Sequence, residues 1–166
     1  MNFTNRTILI TGGNSGIGQA LAEALQAHSN RIIITGRNPA SLNAALERNP
    51  AMTGYTLDVT DPAALEAFAA QVLADHPALD AVILNAGIME TEDYAAAPVA
   101  LGAMERTIAT NLVAPIRLAA ATESRDCSPR DGVRTLVAFG RAERPESELL
   151  FILFGKRRGV CVGMGR

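Results

Sequence analysis

Short runs of branched apolar residues alternate with longer segments whose apolar residues recur every three or four positions, and the cycle repeats four times by residue 122. Thr7-Ile8-Leu9-Ile10 is too short and too uniformly apolar for an amphipathic helix, and Thr11-Gly12-Gly13 closes it, so it predicts a buried strand. Ile17, Leu21 and Leu25 then recur at helical spacing and predict a helix with one apolar face. Arg31-Ile32-Ile33-Ile34-Thr35 predicts a second strand, closed by Gly36, and Pro39 to Arg48 a short helix with Leu42 and Leu46 one turn apart. Tyr55 to Asp58 predicts a third strand. Asp61-Pro62 combines a capping side chain with a proline at the first helical position, and the helix it opens should bury Leu65, Phe68 and Val72. Ala81 to Leu84 predicts the fourth strand, and Leu101, Met104, Ile108 and Leu112 stripe a longer helix behind it.

Strands apolar on both faces, each followed by a helix, imply right-handed crossovers and a parallel sheet covered by helices on both sides. In such sheets ligands bind outside the carboxyl ends of the strands, where the strand order reverses. The segments that end the strands therefore carry the candidate chemistry. The first is Thr11-Gly12-Gly13-Asn14-Ser15-Gly16-Ile17-Gly18, between the first strand and the first helix. Gly12 permits a tight turn, Gly16 lets backbone approach a pyrophosphate, and Gly18 lets helix and strand pack closely. The free N–H groups at the helix start then face the phosphates.

The spacing T-G-x-x-x-G-x-G differs from the commoner G-x-G-x-x-G and resembles the signature of the short-chain dehydrogenase/reductase family. Three further segments match that family in order. Asp58-Val59 resembles its aspartate that contacts the adenine amino group, and Asn85-Ala86-Gly87 its N-A-G motif, which supports the sheet and the adenosine side of the cofactor. Asn111 falls where the family keeps an asparagine that anchors an active-site water. The resemblance covers residues 7 to about 122. It implies a Rossmann-type doubly wound sheet, a nicotinamide dinucleotide cofactor and an alcohol or carbonyl substrate. Members often form homo-oligomers through the helix carrying Asn111 and the next one, but this sequence offers no credible second helix, so such pairing is not expected of it.

Cofactor choice turns on the end of the second strand. An acid there would bind the ribose hydroxyls of NAD, whereas an arginine accommodates a 2′-phosphate. The chain has Gly36-Arg37-Asn38 and no acid, so NADP(H) is expected over NAD(H). Position 15, often basic in relatives that prefer NADP, is Ser15.

Composition changes the picture at residue 122. Residues 1–122 hold six Arg, no Lys, eleven acids and 27 Ala; residues 123–166 hold eight Arg, Lys156, six acids and only Ala138 and Ala142. Charge thus passes from −5 to +3, giving −2 for the whole chain, which draws it neither to nucleic acid nor to acidic membranes. Apolar content of 48% fits a soluble globular protein. Cys127 and Cys161 lack metal-ligand spacing, and no metal is expected. Without a charged-then-apolar leader in Met1 to Arg6 or an apolar run of spanning length, a cytoplasmic location is expected.

The chain therefore divides into a dinucleotide-binding half-domain, 1–122, and a divergent tail, 123–166, whose segment 135–139 predicts a fifth strand. In the family, a serine after the fifth strand and a Tyr-x-x-x-Lys on the next helix complete hydride transfer. Counting from Asn111 places that serine near Phe139 and that tyrosine near Ile152, neither of which can transfer a proton. Only Lys156 agrees, at the start of a Lys-Arg-Arg run that also reads as a solvated basic patch. Four strands alone would leave the fourth with an unpaired outer edge. A change of reading frame near Thr122 would account for the compositional break. Three functions remain open: an NADP(H)-dependent oxidoreductase by descent with impaired catalysis, a dinucleotide-binding module without turnover, and a truncated inactive product.

Overall fold

The computed structural model describes residues 4–90 and 102–122, together with strand backbone at 134–139, 150–154 and 160–164. Strands β1 (Thr7–Thr11), β2 (Arg31–Gly36), β3 (Thr53–Thr56) and β4 (Leu79–Leu84) alternate with helices α1 (Gly16–Gln26), α2 (Pro39–Arg48) and α3 (Pro62–Asp75). A longer helical stretch follows, α4 (Gly102–Ile108) and α5 (Ala114–Thr122) joined by a π turn at Ala109–Val113. The four strands are parallel in the order β3-β2-β1-β4, so the chain crosses over after β3 and the reversal lies between β1 and β4. This is the expected doubly wound sheet.

Side-chain alternation along the strands builds two cores. Ile8, Ile10, Ile32, Ile34, Ala81 and Ile83 point to one face and are covered by Ala22 of α1 and Leu42 and Ala45 of α2. Leu9, Ile33, Val82 and Leu84 point to the other, against Leu65, Phe68 and Val72 of α3 and Ala114 and Leu118 of α5. The middles of the central strands, Ile8–Ile10, Ile32–Ile34 and Ala81–Leu84, are uniformly apolar because both faces are roofed.

The structure corrects several expectations. Strand β3 lies two residues upstream of Tyr55–Asp58 and is only half-buried, because it is the sheet edge and pairs with β2 alone, Ile33 opposite Thr53 through Gly36 opposite Thr56. Helix α1 buries Gly18 and Ala22 rather than Ile17, Leu21 and Leu25; its close approach to the sheet leaves room only for small residues, and Leu21 and Leu25 pack at the flank. In the helical stretch behind β4, Ile108 and Leu112 are exposed, Met104 is half-buried, and Leu101 lies outside the described residues. The inward stripe is Thr110, Ala114, Leu118 and Thr122, whose smaller members let the helix approach α3. The π turn has a local cause. Pro115 has no N–H to return to the carbonyl of Asn111, four residues earlier, and in a regular α-helix its ring would crowd that carbonyl.

The outer edge of β4 is paired. Strand β5 (Arg134–Phe139) runs parallel to it, with Ala81 opposite Arg134 and Leu84 opposite Val137. Beyond it, β6 (Leu150–Phe154) and β7 (Val160–Met164) continue the sheet antiparallel. Among the described residues, no helix is long and apolar enough to cross a membrane.

Candidate dinucleotide site

The turn after β1 is shaped by two glycines in the left-handed region, Gly12 at φ 67° and Gly16 at φ 52°. A Cβ at Gly12 would lie 3.0 Å from the Ala86 Cα, so a side chain there would strike the neighbouring strand end. A Cβ at Gly16 would meet no atom within 4 Å and would project into open space. At Gly18 a Cβ would collide with the carbonyl of Gly12 and the Asn85 carboxamide, so α1 sits as close to the turn as backbone permits. Ser15 stands at the N-cap of α1 in an extended conformation, yet its side chain makes no capping hydrogen bond. The donors that open α1, at Gly16, Ile17 and Gly18, thus have no side-chain cap.

The end of β4 braces this turn. The hydroxyl of buried Thr11 accepts from the N–H groups of Asn85 and Ala86, both at 3.0 Å. Asn85 Nδ2 donates to the Thr11 carbonyl at 3.1 Å and more weakly to the Gly12 carbonyl at 3.4 Å. The Asn85-Ala86-Gly87 segment is thereby fastened across β1 to the glycine turn. Beyond Gly87, Asn111 reaches back from the π turn: Ile88 N–H donates to its Oδ1 at 2.8 Å, and its Nδ2 donates to the Ile88 carbonyl at 2.7 Å. Asn111, expected to anchor a water, thus clasps the backbone of Ile88 through both ends of its carboxamide. Glu90 and Arg106 add an exposed ion pair, Nη2 to Oε2 at 2.5 Å, that ties the same segment to α4.

Asp58 and Val59 follow β3 on the far side of the turn. Asp58 Oδ1 accepts from Thr60 N–H at 2.9 Å and from Thr60 Oγ1 at 2.7 Å. These bonds, helped by the positive charge of Arg37, hold its carboxyl below the ordinary carboxylate range. The Arg37 side chain is exposed and makes no hydrogen bond or ion pair with another side chain among the described residues. Val59, Thr11, Leu84, Ala86, Thr110 and Ala114 line a crevice between the carboxyl ends of β1 and β4 and the helix behind them. The structure therefore brings Thr11 to Gly18, Arg37, Asp58, Val59, Asn85 to Gly87 and Asn111 to one edge of the sheet. Lys156 lies outside the described residues. Sequence reasoning missed Ser41, which the structure places against Asn14, and Ile88, the partner of Asn111. Neither lies in a recognisable motif.

This arrangement is that of a doubly wound α/β domain with a crevice at the strand-order reversal. A model of the short chain dehydrogenase family matches residues 6–125, and the chain belongs to that family. It is 37% identical over 120 residues to the uncharacterized oxidoreductase DltE of Bacillus subtilis, a match covering 72% of this chain and 48% of that protein. It is 36% identical over 89 residues to the 3-oxoacyl-[acyl-carrier-protein] reductase FabG of Escherichia coli, covering 53% of this chain and 36% of that one. Among solved structures, a short-chain dehydrogenase from Streptomyces avermitilis superposes with a TM-score of 0.65 at 28% identity, over 72% of this chain and 44% of its own. The chain thus spans less than half the length of these relatives.

The family binds nicotinamide dinucleotides, and the residues present fit such a group. A pyrophosphate needs backbone donors, a helix start and room for close approach, and the uncapped start of α1 beside the open space at Gly16 supplies all three.

Proposed function

We propose that this chain holds NADP(H) as the cofactor-binding half of an oxidoreductase for alcohols or carbonyl compounds, with turnover by the family mechanism impaired. The observation that carries the reading is the uncapped, open start of α1, braced by Asn85 through Thr11. Its N–H groups bind the pyrophosphate, Asp58 and Val59 border the adenine, and Arg37 pairs with the 2′-phosphate through charge-assisted hydrogen bonds. The bound cofactor supplies or accepts the hydride. Asn111 holds the backbone of Ile88 and so shapes the segment that leaves β4.

Impairment follows from the proton side of the reaction, which needs a donor near the substrate oxygen. Ile152, where the family spacing calls for tyrosine, belongs to β6 and pairs with Val137 of β5. That favours, as the second reading, a binding module without turnover.

Titration calorimetry tests the assignment. NADPH should bind at least about tenfold more tightly than NADH, some 1.4 kcal/mol, and Arg37→Asp should reverse the order. Equal affinities, or a mutant with unchanged preference, would remove Arg37 from the site. Cofactor oxidation with a panel of aldehydes, ketones and quinones should stay at the blank. Turnover abolished by Lys156→Ala would restore that lysine to the reaction. The coding DNA beyond Thr122 supplies a separate check: a frame change requires Tyr-x-x-x-Lys in an alternative frame, and its absence from both makes the tail native to the gene.

A further inference from the structure

The corner that carries Arg37 is tied to the glycine turn by one side chain outside the glycine pattern. Asn14 is half-buried, and its Nδ2 donates to Ser41 Oγ in the first turn of α2 at 2.7 Å. Ser41 Oγ donates in turn to the Asn38 carbonyl at 3.0 Å. Asn38 closes the corner, its Oδ1 accepting from Ala40 N–H at 2.9 Å and Ser41 N–H at 3.3 Å. The carboxamide of Asn14 lies directly over Gly36, where an added Cβ would come within 2.5 Å of its Cγ and 2.6 Å of its Oδ1. Gly36 is therefore the slot that seats Asn14, and it immediately precedes Arg37. A relay runs from the turn after β1, through Asn14 and Ser41, to the residue that follows Arg37.

We propose that Asn14 is a positioning residue for cofactor specificity. Seated over Gly36 and bonded to Ser41, it fixes the corner bearing Arg37 at a set distance from the phosphate-binding start of α1. The preference for a phosphorylated adenosine ribose then depends on it, and the inference rests on the NADP(H) reading above. The physical basis is preorganisation. A flexible arginine on a tethered corner loses less freedom on meeting a 2′-phosphate than one on a free corner, and only a ligand carrying that phosphate gains. Ser41 spends its hydroxyl hydrogen on Asn38 and accepts from Asn14, so it serves the relay rather than the ligand.

The test is a double-mutant cycle on the full chain, reading NADPH and NADH affinities by calorimetry. Asn14→Ala and Ser41→Ala should each weaken NADPH about tenfold and NADH less than about twofold, and the double variant should match either single one. Gly36→Ala, which evicts Asn14 from its slot, should reproduce the loss. Parallel weakening of both cofactors would make Asn14 a loop residue only, and additive losses would break the relay; either overturns the proposal. If Asn14→Ala fails to fold, Ser41→Ala carries the same test, and a preference retained there is equally fatal. A wild-type chain that binds both cofactors equally defeats the NADP(H) reading itself. A wild-type preference that survives Asn14→Ala and Ser41→Ala defeats this inference alone.

Discussion

Helices α1, α2 and α3 begin at the same edge of the same sheet, and of these α2 and α3 have side-chain caps while α1 has none. At α2, Asn38 Oδ1 accepts from Ala40 and Ser41; at α3, Asp61 Oδ1 accepts from Ala63 at 2.9 Å and Ala64 at 3.1 Å; both helices carry proline at the first position. These starts are satisfied internally and stabilise the fold. At α1 the capping position is Ser15, a residue type able to cap, yet it makes no such bond, and Gly16 after it leaves empty space. On the function proposed above, local stability is left unrealised where the cofactor's phosphates would complete the donors. The contrast separates binding from scaffold better than the glycines alone, because glycine clusters also occur in plain turns.

Substitutions should pull the starts apart. The largest effect belongs to Gly18→Val, whose Cβ would drive into the Gly12 carbonyl; it should cost about 3 kcal/mol and abolish cofactor binding together, seen by denaturant melts and calorimetry. Gly16→Ala is subtler. Its strained φ should cost about 1–2 kcal/mol, while the methyl, meeting no protein atom, intrudes on the ligand's space and weakens NADPH at least about tenfold. At α3, Asp61→Ala should lower stability by about 1 kcal/mol and leave affinity unchanged. Ser15→Ala should leave stability within about 0.5 kcal/mol. A clear destabilisation by Ser15→Ala would show that α1 is capped after all.

The smallest expected effect lies far from the site. Tyr55 donates to Asp75 Oδ2 at 2.8 Å, packs edge-on against Phe68 and sits 3.1 Å from His76 Nε2. Burial, then the bond to Asp75, pushes its hydroxyl up to about 12. A folded-state value above the ordinary value of 10 favours the protonated hydroxyl, so its contribution is complete below pH 10 and is lost as pH rises toward about 12. Tyr55→Phe should flatten that alkaline loss in melts between those limits and change nothing at neutral pH beyond the lost bond.

Much of this is legible in the sequence. The central strands could be read because they are buried on both faces, and α3 because Asp61-Pro62 is a start signal with a mechanism. The errors fall where neighbours outweigh local pattern. Tyr55 to Asp58 looks like a strand, but the register with β2 ends the pairing at Thr56 and leaves Asp58 to form its own turn with Thr60. Ile108 and Leu112 look like core, yet the helix turns Thr110 and Ala114 inward because close packing favours small residues. The glycine turn, Asp58 and Asn85 were readable as motifs. The Asn14–Ser41 relay was not, since 27 residues separate two polar side chains that meet only once β1 and β2 are paired.

The most direct measurement follows backbone amides by NMR as NADPH is added to the full chain. The amides of Gly16, Ile17 and Gly18 should shift most and gain protection from exchange, with Ala63 and Ala64 at the capped start of α3 moving least. Saturable binding that leaves the three α1 amides unmoved would contradict the assignment of this helix start as the phosphate site.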